Sequence, residues 1–201
     1  MKKVGIMGGT FNPIHIAHLV LAEQAYEQFG LDEIVFMPSK RPAYKDLGEV
    51  IEEEYRQRMI ELAIADNPHF TIDTMEFNRE GNTYTADTLM ELTKKNLDVS
   101  YYFIIGADSL FQLESWSRPE VILSLCTILA SNREDKDDDL VNAKIEELMN
   151  TFQANIHLLK IPKIDISSKM IRERIQEGKT IRYFVPSDVL NYIEQQNLYK
   201  E

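Results

Sequence analysis

Cysteine is scarce in this 201-residue chain, and its cations are outnumbered by its anions. Cys126 is the single cysteine, which excludes a disulfide scaffold within the chain and a cysteine-based zinc site. Such cysteine usage fits a reducing cytoplasm, where we expect the protein to work. The chain has 22 Lys and Arg against 33 Asp and Glu, a net charge of −11. Because this surface repels a polyanion, it disfavours bulk nucleic-acid binding but allows a local basic pocket for one phosphorylated small molecule.

A long stretch without charge is present, but it lacks the continuous apolar character of a membrane span. Residues 4–22 carry no formal charge, and their number approaches the length that crosses a bilayer. Glycine, asparagine, proline and histidine interrupt the middle of the stretch, and they are costly in hydrocarbon. It also lacks a small-residue cleavage site ahead of a polar region. We therefore expect a strand, a loop and a helix here, and no targeting or membrane segment.

Short β-rich runs alternate with segments of helical periodicity along the chain. The predicted strands cover residues 3–7, 33–37, 70–77, 101–105, 127–130 and 155–160. The predicted helices cover residues 16–29, 49–65, 85–95, 120–125, 168–176 and 186–196, and an acidic run at 135–139 leads into another that ends near 149. Thr85 is the expected N-cap of its helix. The alternation predicts an α/β fold, a Rossmann-like doubly wound parallel sheet with 101–105 at its centre and a small helical part at the C-terminus.

The length suits one domain, and no linker, repeat or low-complexity tract divides the chain. We therefore expect a single domain over residues 1–201. Ligands bind beyond the carboxyl ends of the strands in such parallel sheets. The loops that follow the first and central predicted strands are thus the first candidates for a binding site.

Two glycines follow the first predicted strand, and two histidines open the next helix. Gly8 and Gly9 let a ligand approach the backbone closely, and the helix N-terminus behind them favours an anion. His15 and His18 are three residues apart, so they share one helix face and can stabilise charge that grows on a transferring phosphoryl group. The alternatives are that the glycines form only a tight turn and that the histidines only cap or pack the helix.

Other phosphate and metal motifs do not fit this segment. No Gly-Lys-Ser/Thr closes the loop as in a P-loop, and a Gly-x-Gly-x-x-Gly is also absent. Zinc binding by His-x-x-His is disfavoured because the usual histidine spacing and a third ligand are missing. No Ser-His-Asp or Cys-His arrangement has a recognisable spacing.

Two segments resemble the paired signatures of the nucleotidyltransferase superfamily. Residues 8–18 (GGTFNPIHIAH) are similar to Gly-Gly-Ser/Thr-Phe-Asp/Asn-Pro-x-His-x-Gly/Ala-His, and residues 166–172 (ISSKMIR) are similar to Ile-Ser-Ser-x-x-Ile-Arg. Across nearly the whole chain the sequence resembles the bacterial nicotinate-nucleotide adenylyltransferase family. Further support comes from residues 83–85 and 106–110, from Trp116, and from a closing segment that ends with Leu198 and Tyr199.

The resemblance implies adenylyl transfer from ATP to nicotinate mononucleotide, which gives deamido-NAD and pyrophosphate in NAD biosynthesis. The 5′-phosphate of the mononucleotide would attack the α-phosphate of ATP in line, without a covalent enzyme intermediate. The implied cofactor is Mg²⁺ on the ATP phosphates, with no metal ligand from protein side chains. ATP and nicotinate mononucleotide are the implied partners, and the sequence leaves the oligomeric state open, a homodimer included.

The resemblance also implies the site residues. His18, His15 and Arg172 would be catalytic, with His18 the leading candidate for stabilising the transition state. The implied ATP-binding residues are Gly8, Gly9, Thr10, Phe11, His15, His18, Gly106, Asp108, Ile166, Ser167, Ser168 and Arg172. The helices of residues 166–201 would complete the ATP site. The implied mononucleotide residues are Lys45 for the phosphate, Thr85 for the carboxylate through its backbone, and Trp116 for stacking on the pyridine ring.

Each of these residues also has an ordinary structural alternative. Ser167 and Ser168 can simply cap a helix, as can Asp108, while Arg172 can be an exposed surface charge and Trp116 a core residue. The chain departs from the family pattern at Arg41, Tyr44, Ser39, Ser117 and Lys169. Since most of these lie on the mononucleotide side, the choice between nicotinate and nicotinamide forms stays open. The remaining rivals are another nucleotidyltransferase, such as a phosphopantetheine or nicotinamide-mononucleotide adenylyltransferase, and a binding protein on the same scaffold.

Overall fold

The computed structural model describes residues 1–40, 50–132 and 138–200, which form strands and helices in alternation. The strands are β1 (Lys2–Gly9), β2 (Glu33–Pro38), β3 (Phe70–Ile72), β4 (Val99–Gly106), β5 (Thr127–Ser131) and β6 (Ile156–Leu159). The helices are α1 (Ile16–Phe29), α2 (Glu53–Ile64), α3 (Thr85–Lys95), α4 (Ala107–Gln112), α5 (Pro119–Leu125), α6 (Asp138–Phe152), α7 (Ser168–Gln176) and α8 (Ser187–Gln195).

The six strands form one parallel sheet in the order β3-β2-β1-β4-β5-β6. The chain builds outward from β1 to β3, returns to place β4 on the other side of β1, and then builds outward again. This confirms the doubly wound α/β prediction and the central place of residues 101–105. The order reverses between β1 and β4, and a crevice opens at such a switch point beyond the strand ends.

Helices cover both faces of the sheet, so successive residues of a central strand enter opposite cores. Ile104 packs with Leu21, Ile60 and Val189 on one face. Its neighbours Phe103 and Ile105 pack on the other face with residues of α3, α5 and α6. This two-sided burial explains why β4 reads as an almost continuous apolar run rather than as an alternation.

The segment after β3 differs from its prediction. Residues 70–77 were predicted as one strand, but only Phe70–Ile72 is a strand, and a 3₁₀ turn follows at Met75–Asn78. The Asp73 carboxylate accepts a hydrogen bond from the Met75 backbone N–H at 2.8 Å. This local bond turns the chain, because an Asp side chain competes with the sheet for backbone donors.

Two helix starts also differ from expectation. The helix predicted from residue 49 begins at Glu53, while the first part of the acidic run at 135–139 lies outside the described residues. The expected N-cap at Thr85 is wrong, since Tyr84 occupies that position and Thr85 is the first residue of α3. Backbone bonds from Asp87 and Thr88 to the Tyr84 carbonyl start this helix instead.

The C-terminal helices pack on the same face of the sheet as α1. The Ile16 backbone N–H donates to the Phe184 carbonyl at 2.9 Å, and Val189, Leu190 and Ile193 of α8 lie in the same core as Leu21 of α1. The predicted C-terminal helical part is therefore present and lies beside the start of α1. In the described part of the chain, no helix combines the length and the apolar character that crossing a bilayer requires.

Candidate active site

A cleft of about 830 Å³ opens at the carboxyl ends of β1 and β4. It contains residues from both halves of the chain, because the switch point of the sheet brings the first loop beside α7. The predicted ATP-site residues that line it are Gly8, Gly9, Thr10, Phe11, His15, His18, Gly106, Ser167, Ser168 and Arg172. Thr85 and Trp116 of the predicted mononucleotide set line the same cleft.

Three predicted site residues stand apart from this lining. Asp108 is exposed in the first turn of α4 and does not line the cleft, and Gly106 rather than Asp108 is the N-cap residue there. Ile166 is half-buried against the hydrophobic core, and it too is outside the lining. Lys45 lies outside the described residues.

The two glycines are part of β1 and not of a turn. Gly8 pairs with Met37 and Gly9 pairs with Pro38, so the tight-turn alternative is wrong. A Cβ atom on Gly9 would lie 3.1 Å from the ring of Phe11, and one on Gly8 would lie 3.2 Å from the ring of Phe103. A side chain at either position would therefore crowd the aromatic rings that pack on the strand end.

The two histidines form a stacked pair at the start of α1. His15 is the N-cap residue and only 2% exposed, and its ring lies 3.7 Å from that of His18 at an interplanar angle of 22°. The His15 backbone N–H donates to Nδ1 of His18 at 3.3 Å. Since Nδ1 accepts, the proton of the neutral His18 imidazole resides on Nε2. The pair thus caps the helix and also lines the cleft, so the two interpretations do not compete.

Helix α7 is attached to the first loop by two side chains. Arg172 donates from Nη1 to the Asn12 carbonyl at 3.0 Å, and the Ser168 hydroxyl donates to the Pro13 carbonyl at 2.8 Å. Arg172 is half-buried, so the alternative of an exposed surface charge is wrong. Ser167 accepts from the Met170 backbone N–H at 3.2 Å and caps α7 as expected, while Ser168 is the first helical residue and not a second cap.

A buried arginine that the sequence did not single out supports the same loop. Arg56 of α2 is 1% exposed and donates from Nη1 to the carbonyls of Thr10 at 2.9 Å and Ser39 at 2.8 Å. Its Nε donates to the Ile51 carbonyl at 3.2 Å. Burial lowers the pKa of the Arg56 guanidinium, which is nevertheless charged at any physiological pH. A lone arginine in a polar helix looks like surface, so no local signal could have found it.

The wall near Thr85 contains a buried carboxylate. Glu76 lines the cleft and accepts a hydrogen bond from the Thr88 hydroxyl at 2.6 Å. Burial raises the pKa of Glu76, and the hydrogen bonds of Thr88 and Thr83 oppose that shift. Trp116 is half-buried beside this wall with its ring 6.4 Å from Phe103 in an edge-on arrangement, so it serves the core and the cleft together.

The cationic side chains of the lining suit an anionic ligand, and they lie on other elements than the Glu76 carboxylate. Lys169 and Arg172 come from the first turns of α7, and the stacked histidines come from the start of α1. Both helix N-termini add partial positive charge at the same edge of the sheet. Despite the net charge of −11, the cleft therefore presents the local basic pocket that the sequence allowed.

The comparisons with known proteins agree with this geometry. The family model described as cytidylyltransferase-like matches residues 6–174. A protein of Lachnoclostridium phytofermentans named "Probable nicotinate-nucleotide adenylyltransferase" is 62% identical, over 99% of this chain and 100% of its own length. The chain belongs to the nicotinate-nucleotide adenylyltransferase family. A relative of the same name from Streptococcus pyogenes serotype M1 is 41% identical over 99% of this chain and 89% of its own length.

Solved structures show the same fold for this adenylyltransferase family member. The nicotinic acid mononucleotide adenylyltransferase of Plasmodium falciparum, complexed with NaAD, superposes with a TM-score of 0.81 at 22% identity, covering 99% of this chain and 98% of that one. Its complex with APC gives a TM-score of 0.79 over the same shares. At this identity the likeness concerns the fold, and it confirms the Rossmann-like prediction.

Proposed function

We propose that this chain transfers the adenylyl group of ATP to nicotinate mononucleotide and releases pyrophosphate, a step that gives deamido-NAD in NAD biosynthesis. The observation that carries the proposal is one cleft that both signature segments line at the switch point of the sheet. The full-length relatives named nicotinate-nucleotide adenylyltransferase support it. They also favour it over the phosphopantetheine alternative.

The triphosphate of ATP would lie against the N-termini of α1 and α7. An oxygen of the mononucleotide 5′-phosphate attacks the α-phosphorus, and the bond from that phosphorus to its bridging oxygen breaks as pyrophosphate leaves. The Arg172 guanidinium would offer planar donors to phosphate oxygens, and Ser167 and Ser168 lie at the N-terminus of α7, which favours an anion. These groups would hold the phosphates and align the attack.

His18 would stabilise the charge that grows during the transfer. Its Nδ1 accepts from the backbone of His15, so its Nε2–H is the donor that a phosphoryl oxygen can meet. Stacking on His15 and the edge-on Phe11 ring at 5.1 Å restrict the imidazole to one orientation. A donor held in place before the reaction stabilises the transition state without reorganisation.

We propose that the metal ion enters the cleft on the phosphates of ATP. Within the described ranges, no group of three or more His, Cys, Asp or Glu side chains could hold a metal. The donors near the expected phosphates are instead imidazole, guanidinium, ammonium and hydroxyl groups, which bind phosphate oxygens. Mg²⁺ held by those oxygens would neutralise charge on the leaving pyrophosphate.

We further propose that residues 1–201 act as one domain in the cytoplasm and that the C-terminal helices complete the ATP site. The bonds of Arg172 and Ser168 to the first loop support the role of the C-terminal part. The Ile16 to Phe184 bond adds a second connection between the two ends of the sequence. The lone buried Cys126 suits a reducing compartment.

Pyrophosphate release tests the proposed reaction directly. The protein is incubated with Mg-ATP and either nicotinate mononucleotide or nicotinamide mononucleotide, and we expect strong preference for the nicotinate form. Preference for the amide would keep the reaction and overturn the substrate. Absence of release with both, together with a thermal shift on adding either nucleotide, would contradict the enzyme and indicate a binding protein.

Trp116→Ala should raise the KM for nicotinate mononucleotide about tenfold and leave the KM for ATP within about twofold. Loss of one aromatic stacking partner typically costs about 1–3 kcal/mol, and about 1.4 kcal/mol is tenfold in affinity. Initial rates at varied concentrations of each substrate provide the measurement. Phe111→Ala is the control, since Phe111 is an exposed aromatic residue of α4 outside the cleft lining. An unchanged KM for the mononucleotide would refute the stacking role.

A further inference from the structure

A tyrosine close to the last described residue reaches into the first loop of the cleft. Tyr199 is 9% exposed and lies in the core that also contains Ile193 and Leu198. Its hydroxyl donates to Oδ1 of Asn12 at 2.9 Å in a buried environment. Tyr199 does not line the cleft, so any effect on the reaction must pass through the residues that it holds.

Asn12 connects this tyrosine to Arg172, the side chain proposed to bind the phosphates of ATP. Its backbone carbonyl accepts from Nη1 of Arg172 at 3.0 Å, while its Oδ1 also accepts from the Ile51 backbone N–H at 3.4 Å. The shorter bond to Oδ1 is the one from Tyr199. A single buried residue thus joins the C-terminal part of the chain, the start of the α2 region and Arg172.

The loop that contains Asn12 needs such support because its backbone is unusual. Phe11 has a φ of 48°, in the left-handed region that residues other than glycine seldom occupy. A conformation of this kind persists only where the surroundings hold it. The bonds of Arg56 to Thr10 and of Tyr199 to Asn12 flank Phe11 on both sides.

The surroundings keep the tyrosine hydroxyl protonated. Burial strongly raises the pKa of the Tyr199 hydroxyl, and the nearby Arg172 and Arg56 oppose that shift only in part. The hydroxyl is therefore protonated throughout the pH range of an enzyme assay. The Ile51 backbone N–H can only donate, so Asn12 presents its amide oxygen on this side, and the Tyr199 hydroxyl donates to the same oxygen.

We propose that Tyr199 is a positioning residue for ATP binding, which acts through Asn12 on Arg172. The inference rests on the proposed function, since it concerns the same phosphate-binding arginine. Loss of the hydroxyl removes the shorter of the two bonds to Oδ1 described above, so Asn12 and the carbonyl that orients Arg172 can shift. In other enzymes, misplacing a positioning group by about 1 Å costs up to about 100-fold in rate. We therefore expect a smaller displacement of Arg172 to weaken its contribution to ATP binding about tenfold.

Tyr199→Phe is the test, since it removes one oxygen atom and keeps the packed ring. We expect the KM for ATP, and the Kd for Mg-ATP measured by calorimetry without mononucleotide, to rise about tenfold. The KM for the mononucleotide should stay within about twofold. A merely structural tyrosine would lower Tm without this division between substrates.

Tyr101→Phe is the matched control. Tyr101 is 5% exposed near the other end of β4, where its hydroxyl donates to the Leu92 carbonyl at 3.4 Å and accepts from Asn96 at 3.2 Å. It loses a buried hydroxyl of the same kind at a distance from the cleft. We expect a lower Tm and wild-type kinetic constants and ATP affinity. A tenfold effect on ATP in this control as well would overturn the specific role of Tyr199.

A double-mutant cycle with Asn12→Ala tests the route. If Tyr199 acts through Asn12, the double variant should bind ATP no more than about twofold worse than Asn12→Ala alone. If the effects of the two substitutions on the Kd for ATP multiply in the double variant, the inference is overturned. An unchanged Kd for ATP in Tyr199→Phe would also overturn it. Wild-type protein that binds Mg-ATP but releases no pyrophosphate would instead overturn the proposed function, while the Kd comparison still decides the role of Tyr199.

Discussion

Replacing His18 by alanine should lower kcat by about 100-fold or more and leave the fold intact. Removal of a single preorganised donor to a developing charge costs about 100- to 1000-fold in other enzymes. We propose that His18 is such a donor, because its Nδ1 accepts from the backbone of His15 and the proton of the neutral ring is then on Nε2. The ring is only half-buried, so its removal leaves most of the core of α1 in place.

The measurement is kcat at saturating ATP and mononucleotide, with circular dichroism and Tm as checks of folding. His157→Ala is the control, since His157 is an exposed residue of β6 whose ring lies 5.6 Å from Phe29 and outside the cleft lining. It should retain wild-type turnover. Near-normal kcat in the His18 variant would refute its role in the transition state.

Replacing Arg172 by glutamine should lower kcat/KM for ATP by roughly 100-fold. A guanidinium binds two phosphate oxygens at once in a planar arrangement, whereas a neutral amide offers neither the charge nor that geometry. Lysine restores the charge but acts as a point donor, so Arg172→Lys should recover only part of the loss. Lysine also lacks the planar fork from which Nη1 of Arg172 donates to the Asn12 carbonyl at the cleft.

Varying ATP at saturating mononucleotide measures this loss, and Arg174→Gln is the control on the same helix. Arg174 lies over the Phe184 ring at 4.8 Å, donates to the Thr180 carbonyl, and does not line the cleft. Its replacement should alter stability more than kinetics. If Arg172→Gln keeps the wild-type kcat/KM for ATP, the proposed phosphate-binding role of Arg172 is wrong.

Elements with local signals were predictable from the sequence, and those held by distant contacts were not. The helices at Ile16–Phe29, Thr85–Lys95 and Ser168–Gln176 have the predicted bounds, since periodicity and their end residues mark them locally. Residues 70–77 misled because apolar and polar residues alternate at both ends of the segment, although Met75 and Phe77 are out of phase with Phe70 and Ile72. The phase changes where the Asp73 side chain turns the backbone. Hydrophobic pattern alone does not reveal that competition.

The candidate site divides in the same way. The two short signatures identified most of the lining, because the switch point of a parallel sheet brings their loops to one place. Asp108 and Ile166 carry the family motif but lie outside the lining. Arg56 and Glu76 could not be recognised, since each depends on partners distant in sequence or on burial that composition does not encode. Tyr199 supported only the family resemblance, because its bond to Asn12 joins residues distant in sequence.

The hydrogen bonds of the buried Arg56 to three backbone carbonyls affect how the sequence can vary. Its guanidinium binds the carbonyls of Ser39 and Ile51, which lie on either side of residues 41–49. One side chain therefore holds Ser39 and Ile51 at a set separation. The entropy cost of closing a loop changes only slowly with the number of residues between two fixed ends. Substitutions, insertions and deletions can accumulate between those anchors without disturbing Thr10 and the first loop. Two of the departures from the family pattern, Arg41 and Tyr44, fall between these anchors.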